Sequence, residues 1–145
     1  MRYTVQVVIN KELDFVVNEL RSREASFKWI KGLKSFELIE GKLDEVNSKY
    51  LMVIENNGKS QEMVETITEF NPPRSITTVY EMGSVWNECV NRFESKEGKT
   101  VYSMDTTFKF GFVMKLFIWI FKPMFKKETL KGLLAFKEYC ESVDN

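Results

Sequence analysis

A chain of 145 residues, 43% hydrophobic and 29% charged, is long enough to bury one core without staples and too apolar to be intrinsically disordered. Lysine plus arginine balance aspartate plus glutamate at 21 each, so no overall basic field draws in a phosphate backbone, and nucleic acid is not an expected partner. There is no histidine, which removes Ser–His and Cys–His dyads, imidazole general bases and histidine-ligated metals together.

Arg2 to Ile9 sets Tyr3, Val5, Val7 and Ile9 on one face against Thr4 and Gln6, which predicts a strand. Asn10 stands where it can cap a helix on which Leu13, Val16, Val17 and Leu20 recur at helical spacing. A second short helix is predicted from about Glu24 to Ile30, carrying Phe27, Trp29 and Ile30 and stopped by Gly32. Ser35 to Glu40 and Lys49 to Glu55 read as strands, and Asn57-Gly58 is a strong hairpin signal leading into a long strand that starts near Lys59. Between Lys59 and Phe112 four alternating runs follow one another, with Pro72-Pro73, Gly83-Ser84 and Glu97-Gly98 at the joints. In the last run Tyr102, Met104, Thr106 and Phe108 are expected inward, and Val101, Ser103 and Asp105 outward.

The densest apolar run, Gly111 to Phe125, is interrupted by Lys115 and Lys122 and falls short of the ~20 residues that a membrane span needs. It is compatible only with transient contact at a membrane surface. Pro123 is expected to kink or break it, after which Phe125, Leu130, Leu133, Leu134 and Phe136 through Tyr139 form an amphipathic helix. Phe117, Trp119 and Phe121 serve either as ordinary packing under that helix or as cavity lining. The N-terminus lacks the apolar region and small-residue cleavage site of a signal peptide, and Cys89 and Cys140 form no CxxC or metal-type cluster. Two free thiols in a reducing, cytoplasmic setting are therefore expected.

The order is strand, two helices, six strands, one helix: an α+β chain read as one domain over residues 1–145. A curved antiparallel sheet that grips a helix encloses a cavity more readily than it fills one. The segments INKELDFVVNELRSREASFKWIKGL and FELIEG, the strand pair ending in EGKT, and the closing FKKETLKGLLAFKEYCE together resemble the SRPBCC superfamily. This group is also called START-like, birch-pollen-allergen-like or polyketide cyclase/dehydrase-like. The resemblance covers essentially the whole chain. It implies a helix-grip fold, in which a seven-stranded curved sheet wraps around a long C-terminal helix with an apolar tunnel between them. Its members include lipid and hormone carriers as well as aromatic cyclases.

Candidate tunnel residues are Trp29, Met63, Ile67, Trp86, Phe108, Phe117 and Phe121 for apolar affinity, with Tyr80, Asn87 and Tyr102 for orientation. The strand from Lys59 leaves its inward face open. Glu65 and Glu69 alternate with Met63 and Ile67, against Val64, Thr66 and Phe70. Glu65 reads either as an inward general acid or base, or, the preferred reading, as a solvated carboxylate paired across the sheet with a lysine. Glu88 poses the same question, since it alternates with Trp86, Val90 and Arg92 against Asn87, Asn91 and Phe93. The fragment NGKS at 57–60 is no phosphate loop, because Val53 stands where the first glycine belongs. No cofactor or metal is expected. The favoured function is a non-catalytic carrier or sensor of a hydrophobic or amphipathic small molecule. The alternative is a small cyclase/dehydrase-type enzyme using an inward carboxyl and tyrosine, and a weaker one is a protein-interaction module.

Overall fold

The computed structural model describes residues 1–112 and 118–144, and of 118–120 the backbone alone. Strand β1 (Arg2–Ile9) is followed by α1 (Leu13–Arg21) and α2 (Arg23–Trp29). Then come β2 (Leu33–Glu40), β3 (Lys49–Asn56), β4 (Lys59–Asn71), β5 (Ser75–Met82), β6 (Val85–Lys96) and β7 (Lys99–Lys109), and the chain closes with α3 (Ile118–Ser142). The seven strands form one sheet in the order β1-β7-β6-β5-β4-β3-β2, with every pairing antiparallel. Strands β2 to β7 are a meander of consecutive hairpins. The two helices after β1 carry the chain from one edge of the sheet to the other.

The turn chemistry is that of the sequence. Asn57-Gly58 and Glu97-Gly98 each place both central residues at positive φ, 53° and 76° in the first and 54° and 78° in the second. That conformation matches the right-handed twist of flanking strands. Gly32 ends α2 at φ 80°, and a Cβ there would sit 2.3 Å from the Glu55 carbonyl oxygen, so the turn lies directly on β3.

The alternation of β1 buries Tyr3, Val5, Val7 and Ile9, and these pack with Val16 and Val17 of α1 and with Leu133, Phe136 and Cys140 of α3. Each fully buried apolar side chain of this size stabilises the fold by about 1.5–3 kcal/mol. A second cluster, Leu33, Phe36, Tyr50, Met52 and Ile67, fills the opposite end of the sheet. Inward placement of Tyr102, Met104, Thr106 and Phe108 agrees with their packing, while Val101 and Ser103 lie on the far face beside Gln6.

Two local expectations, a cap from Asn10 and a break at Pro123, differ from the structure. The N-cap of α1 is Glu12, without a side-chain cap, whereas Asn10 uses its backbone N–H to reach Glu141 Oε2 at 2.8 Å. The side-chain cap belongs to Ser22, whose Oγ accepts from Ala25 N at 3.1 Å and starts α2. Helix α3 runs through Pro123 without a break. The missing N–H costs one rung of the ladder, at a turn where Phe121, Lys122, Pro123 and Met124 are all exposed and water can solvate the freed carbonyl.

Two glycines give opposite predictions. Gly32→Ala is expected to lose about 2–3 kcal/mol in urea unfolding, from positive-φ strain and the approach to Glu55. Gly132→Ala, in mid-helix with nothing within 4 Å of the added Cβ, is expected to gain about 0.5–1 kcal/mol.

Candidate functional site

Between the concave face and α3 lies a cavity of about 260 Å³. Its wall comes from α2 (Trp29), from β4 to β7 (Met63, Tyr80, Asn87, Cys89, Tyr102, Met104, Thr106) and from α3 (Thr129, Gly132, Leu133, Phe136). Trp29, Tyr80, Tyr102 and Met104 also border an inner chamber of about 90 Å³, which reaches Arg21, Glu65, Ile76 and Thr78. Four side chains thus form a partition common to both spaces.

Of the residues singled out in the sequence, the fold brings Trp29, Met63, Tyr80, Asn87 and Tyr102 to this cavity. Ile67 is fully buried among Leu33, Phe36, Tyr50 and Met52 instead. Trp86 is turned away, because alternation along β6 points Asn87, Cys89, Asn91 and Phe93 inward, and its ring lies beneath Lys109 Nζ at 4.5 Å. Glu88 shares that outer face. Phe108 is inward but packs against Tyr3, Phe110 and Phe125, beyond the cavity wall. Phe121 is 39% exposed at the start of α3, and Phe117 lies outside the described residues.

The β4 ambiguity resolves through a bulge. The register with β5 shifts between Ile67 and Glu69, so Met63, Glu65 and Ile67 face inward before it and Phe70 joins them after it, while Glu69 turns out. Glu65 is therefore neither at an edge nor paired with a lysine. It is 2% exposed, receives Arg21 Nη1 at 3.1 Å and accepts the Tyr80 hydroxyl proton at 2.7 Å. Arg21 also holds Asp44 at 3.2 Å through Nε, and its guanidinium stands over the Tyr50 ring.

Burial would lower the Arg21 pKa, but Glu65, and after it Tyr80 and Asp44, more than offset this and raise it. The Tyr80 phenol is raised well above 10, by burial first and by the Glu65 charge second, so it stays protonated. Arg21 had no local signal in the sequence, since its partner Glu65 lies 44 positions away. Cys89, Thr106, Thr129 and Gly132 were likewise missed as wall residues. Only the pairing of β6 with β7 and the seating of α3 bring them together.

No family model matches the chain, and no curated protein matches it in sequence. Solved structures do. The crystal structure of Ara h 8.0201 superposes with a TM-score of 0.81 over 99% of both chains at 13% identity. A protein from Thermus thermophilus gives 0.79 over 100% of both chains at 13% identity. A conserved protein from Geobacillus kaustophilus gives 0.76 over 97% of this chain and 95% of its own at 17% identity. The chain accordingly has the helix-grip fold of the SRPBCC, or Bet v 1-like, group. No helix among the described residues is long and apolar enough to cross a membrane.

Two measurements probe this site. Glu65→Gln leaves Arg21 buried with only the half-exposed Asp44 as counter-charge, so a loss near the lower end of the ~3–5 kcal/mol range for a broken buried pair is expected in chemical denaturation. Burial pushes the Cys89 thiol up to about 11 and the Cys140 thiol up to about 12. At pH 8 an iodoacetamide-type reagent should therefore label Cys89 on the order of 100-fold and Cys140 on the order of 1,000-fold more slowly in the native protein than in urea, where thiols titrate near ~8.5.

Proposed function

We propose that this protein is a non-catalytic carrier or sensor that holds one hydrophobic or amphipathic small molecule between the sheet and α3. The observation that carries the reading is the 260 Å³ cavity, whose wall is mainly Trp29, Met63, Met104, Leu133 and Phe136, with a few fixed polar groups among them. Ligand sites of this kind are apolar concavities with a small number of placed polar groups. The volume sets the ligand size. A cavity of ~150 Å³ accommodates benzene, so this one suits a body of one or two rings.

The Tyr80–Glu65 contact favours a second reading, a cyclase/dehydrase-type enzyme with a carboxyl and a tyrosine as its acid and base. Two features weigh against it. Arg21 holds the Glu65 carboxylate in an ion pair, and a phenol raised well above 10 is a weak acid.

Native mass spectrometry of freshly purified protein and titration with a neutral one- or two-ring fluorescent probe test the carrier reading, with one site per chain expected. Gly132 lines the cavity with open space at its Cβ position, so Gly132→Leu should fill the site and weaken probe binding at least tenfold in a protein that remains folded. Unchanged binding in that variant would move the probe, and the proposed site, elsewhere.

A further inference from the structure

We infer that the cognate ligand is a neutral molecule whose polar end donates a hydrogen bond, namely a hydroxyl group on a one- or two-ring body. This rests on the carrier reading and follows from where the protons of the cavity wall are spent. Tyr80 gives its phenolic proton to Glu65 Oε2 at 2.7 Å, and Tyr102 gives its own to Asn91 Oδ1 at 2.6 Å. Neither bond can run the other way. A carboxylate paired with arginine only accepts, and the Asn91 amide is fixed by Nδ2 donating to the Ile76 carbonyl at 3.1 Å. Asn87 Nδ2 donates to Thr106 Oγ1 at 2.6 Å and to the Thr107 carbonyl at 3.1 Å. Its Oδ1 receives only the Cys89 thiol at 3.3 Å, and Thr129 donates to the Phe125 carbonyl at 3.0 Å.

Phenol oxygens that have given their protons to the wall, and an amide oxygen that carries none, have only lone pairs left for a guest. Tyr80, Tyr102 and Asn87 are such groups, and all three border the cavity. The complementary ligand group is thus a donor. Against this set stand two buried donor groups without a partner among the described residues, the Nε1 of Trp29, on the partition between the two chambers, and the Thr78 hydroxyl, on the wall of the inner chamber. A hydroxyl can both donate to a tyrosine oxygen and accept from an indole N–H, which an ether or a ketone cannot do. A carboxylate would set lone pairs against lone pairs, with the Glu65 charge behind Tyr80. The cation nearest to hand, Arg21, is already engaged by Glu65 and Asp44. An ammonium would bring a second buried cation close to Arg21.

The experiment compares naphthalene, 2-methoxynaphthalene, 2-naphthol and 2-naphthoate at neutral pH on the full chain, by calorimetry or ligand fluorescence. We expect 2-naphthol to bind about tenfold tighter than the methoxy compound, the factor of one added net hydrogen bond, and 2-naphthoate to bind weakest. Tyr80→Phe should erase the advantage of naphthol over methoxynaphthalene while leaving naphthalene within about twofold. If that variant does not fold, Tyr102→Phe replaces it with the same expectation, a reduced advantage. Equal binding of naphthol and its methyl ether, or tightest binding of naphthoate, overturns the inference and leaves the carrier reading standing. Failure of all four compounds to bind overturns both.

Discussion

Seven strands offer more concave wall than one helix can cover, and the rest of the molecule follows from that mismatch. Helix α3 is seated along β1, with α1 and α2 beside it, so its apolar stripe of Leu133, Phe136 and Cys140 is used up on one side of the sheet. Among the described residues, the inward faces of β4 and β5 are covered far less by helix than β1 is. Part of that surface closes on itself as the cluster around Tyr50 and Ile67. The remainder is cavity. Gly132 sharpens the effect, because it is a cavity-lining position of α3 that has no side chain to send across the gap.

At the inner end of this gap the sheet buries charge. An ion pair out of water gains little net stability, since desolvation offsets most of the attraction, but removing one partner is expensive. The Arg21–Glu65 pair therefore acts less as a source of stability than as a constraint on geometry. It ties the C-terminal end of α1 to the middle of β4, draws the loop at Asp44 over the same guanidinium and, through Glu65, sets the direction of the Tyr80 proton. A feature that adds little to the folding balance thus decides what the cavity can recognise.

Much of the fold was legible because it depends on local periodicity and turn chemistry. The alternation of β1 and β7, the Asn57-Gly58 turn and the stripe of α3 all read directly from residue order. What failed to read were effects that need a neighbour. The bulge after Ile67 exchanges the faces of β4 midway, and nothing in KSQEMVETITEF marks its position. Trp86 and Asn87 are adjacent, so only one of them could reach the cavity; the sequence offered both as candidates, and register with β5 and β7 selected the asparagine. Glu65 looked like a surface carboxylate because its cation comes from a helix 44 residues earlier. Pro123 read as a kink or a break, and the break did not follow because its turn is exposed, which sequence alone does not say.

The strand order also leaves β1 and β2 as the two margins of the sheet, and open margins invite strands from other molecules to add on. Each is blunted differently. On β1 the Val8 carbonyl is occupied by Lys137 Nζ at 2.5 Å, a side chain reaching over from α3. On β2 the pairing with β3 shifts register at both ends, between Leu33 and Ser35 and between Leu38 and Glu40, and Lys34, Glu37 and Glu40 are exposed along it. Irregular backbone carrying alternating charge is a poor template for another chain. A sheet whose curved interior is kept incompletely filled is thereby protected from aggregation along its sides.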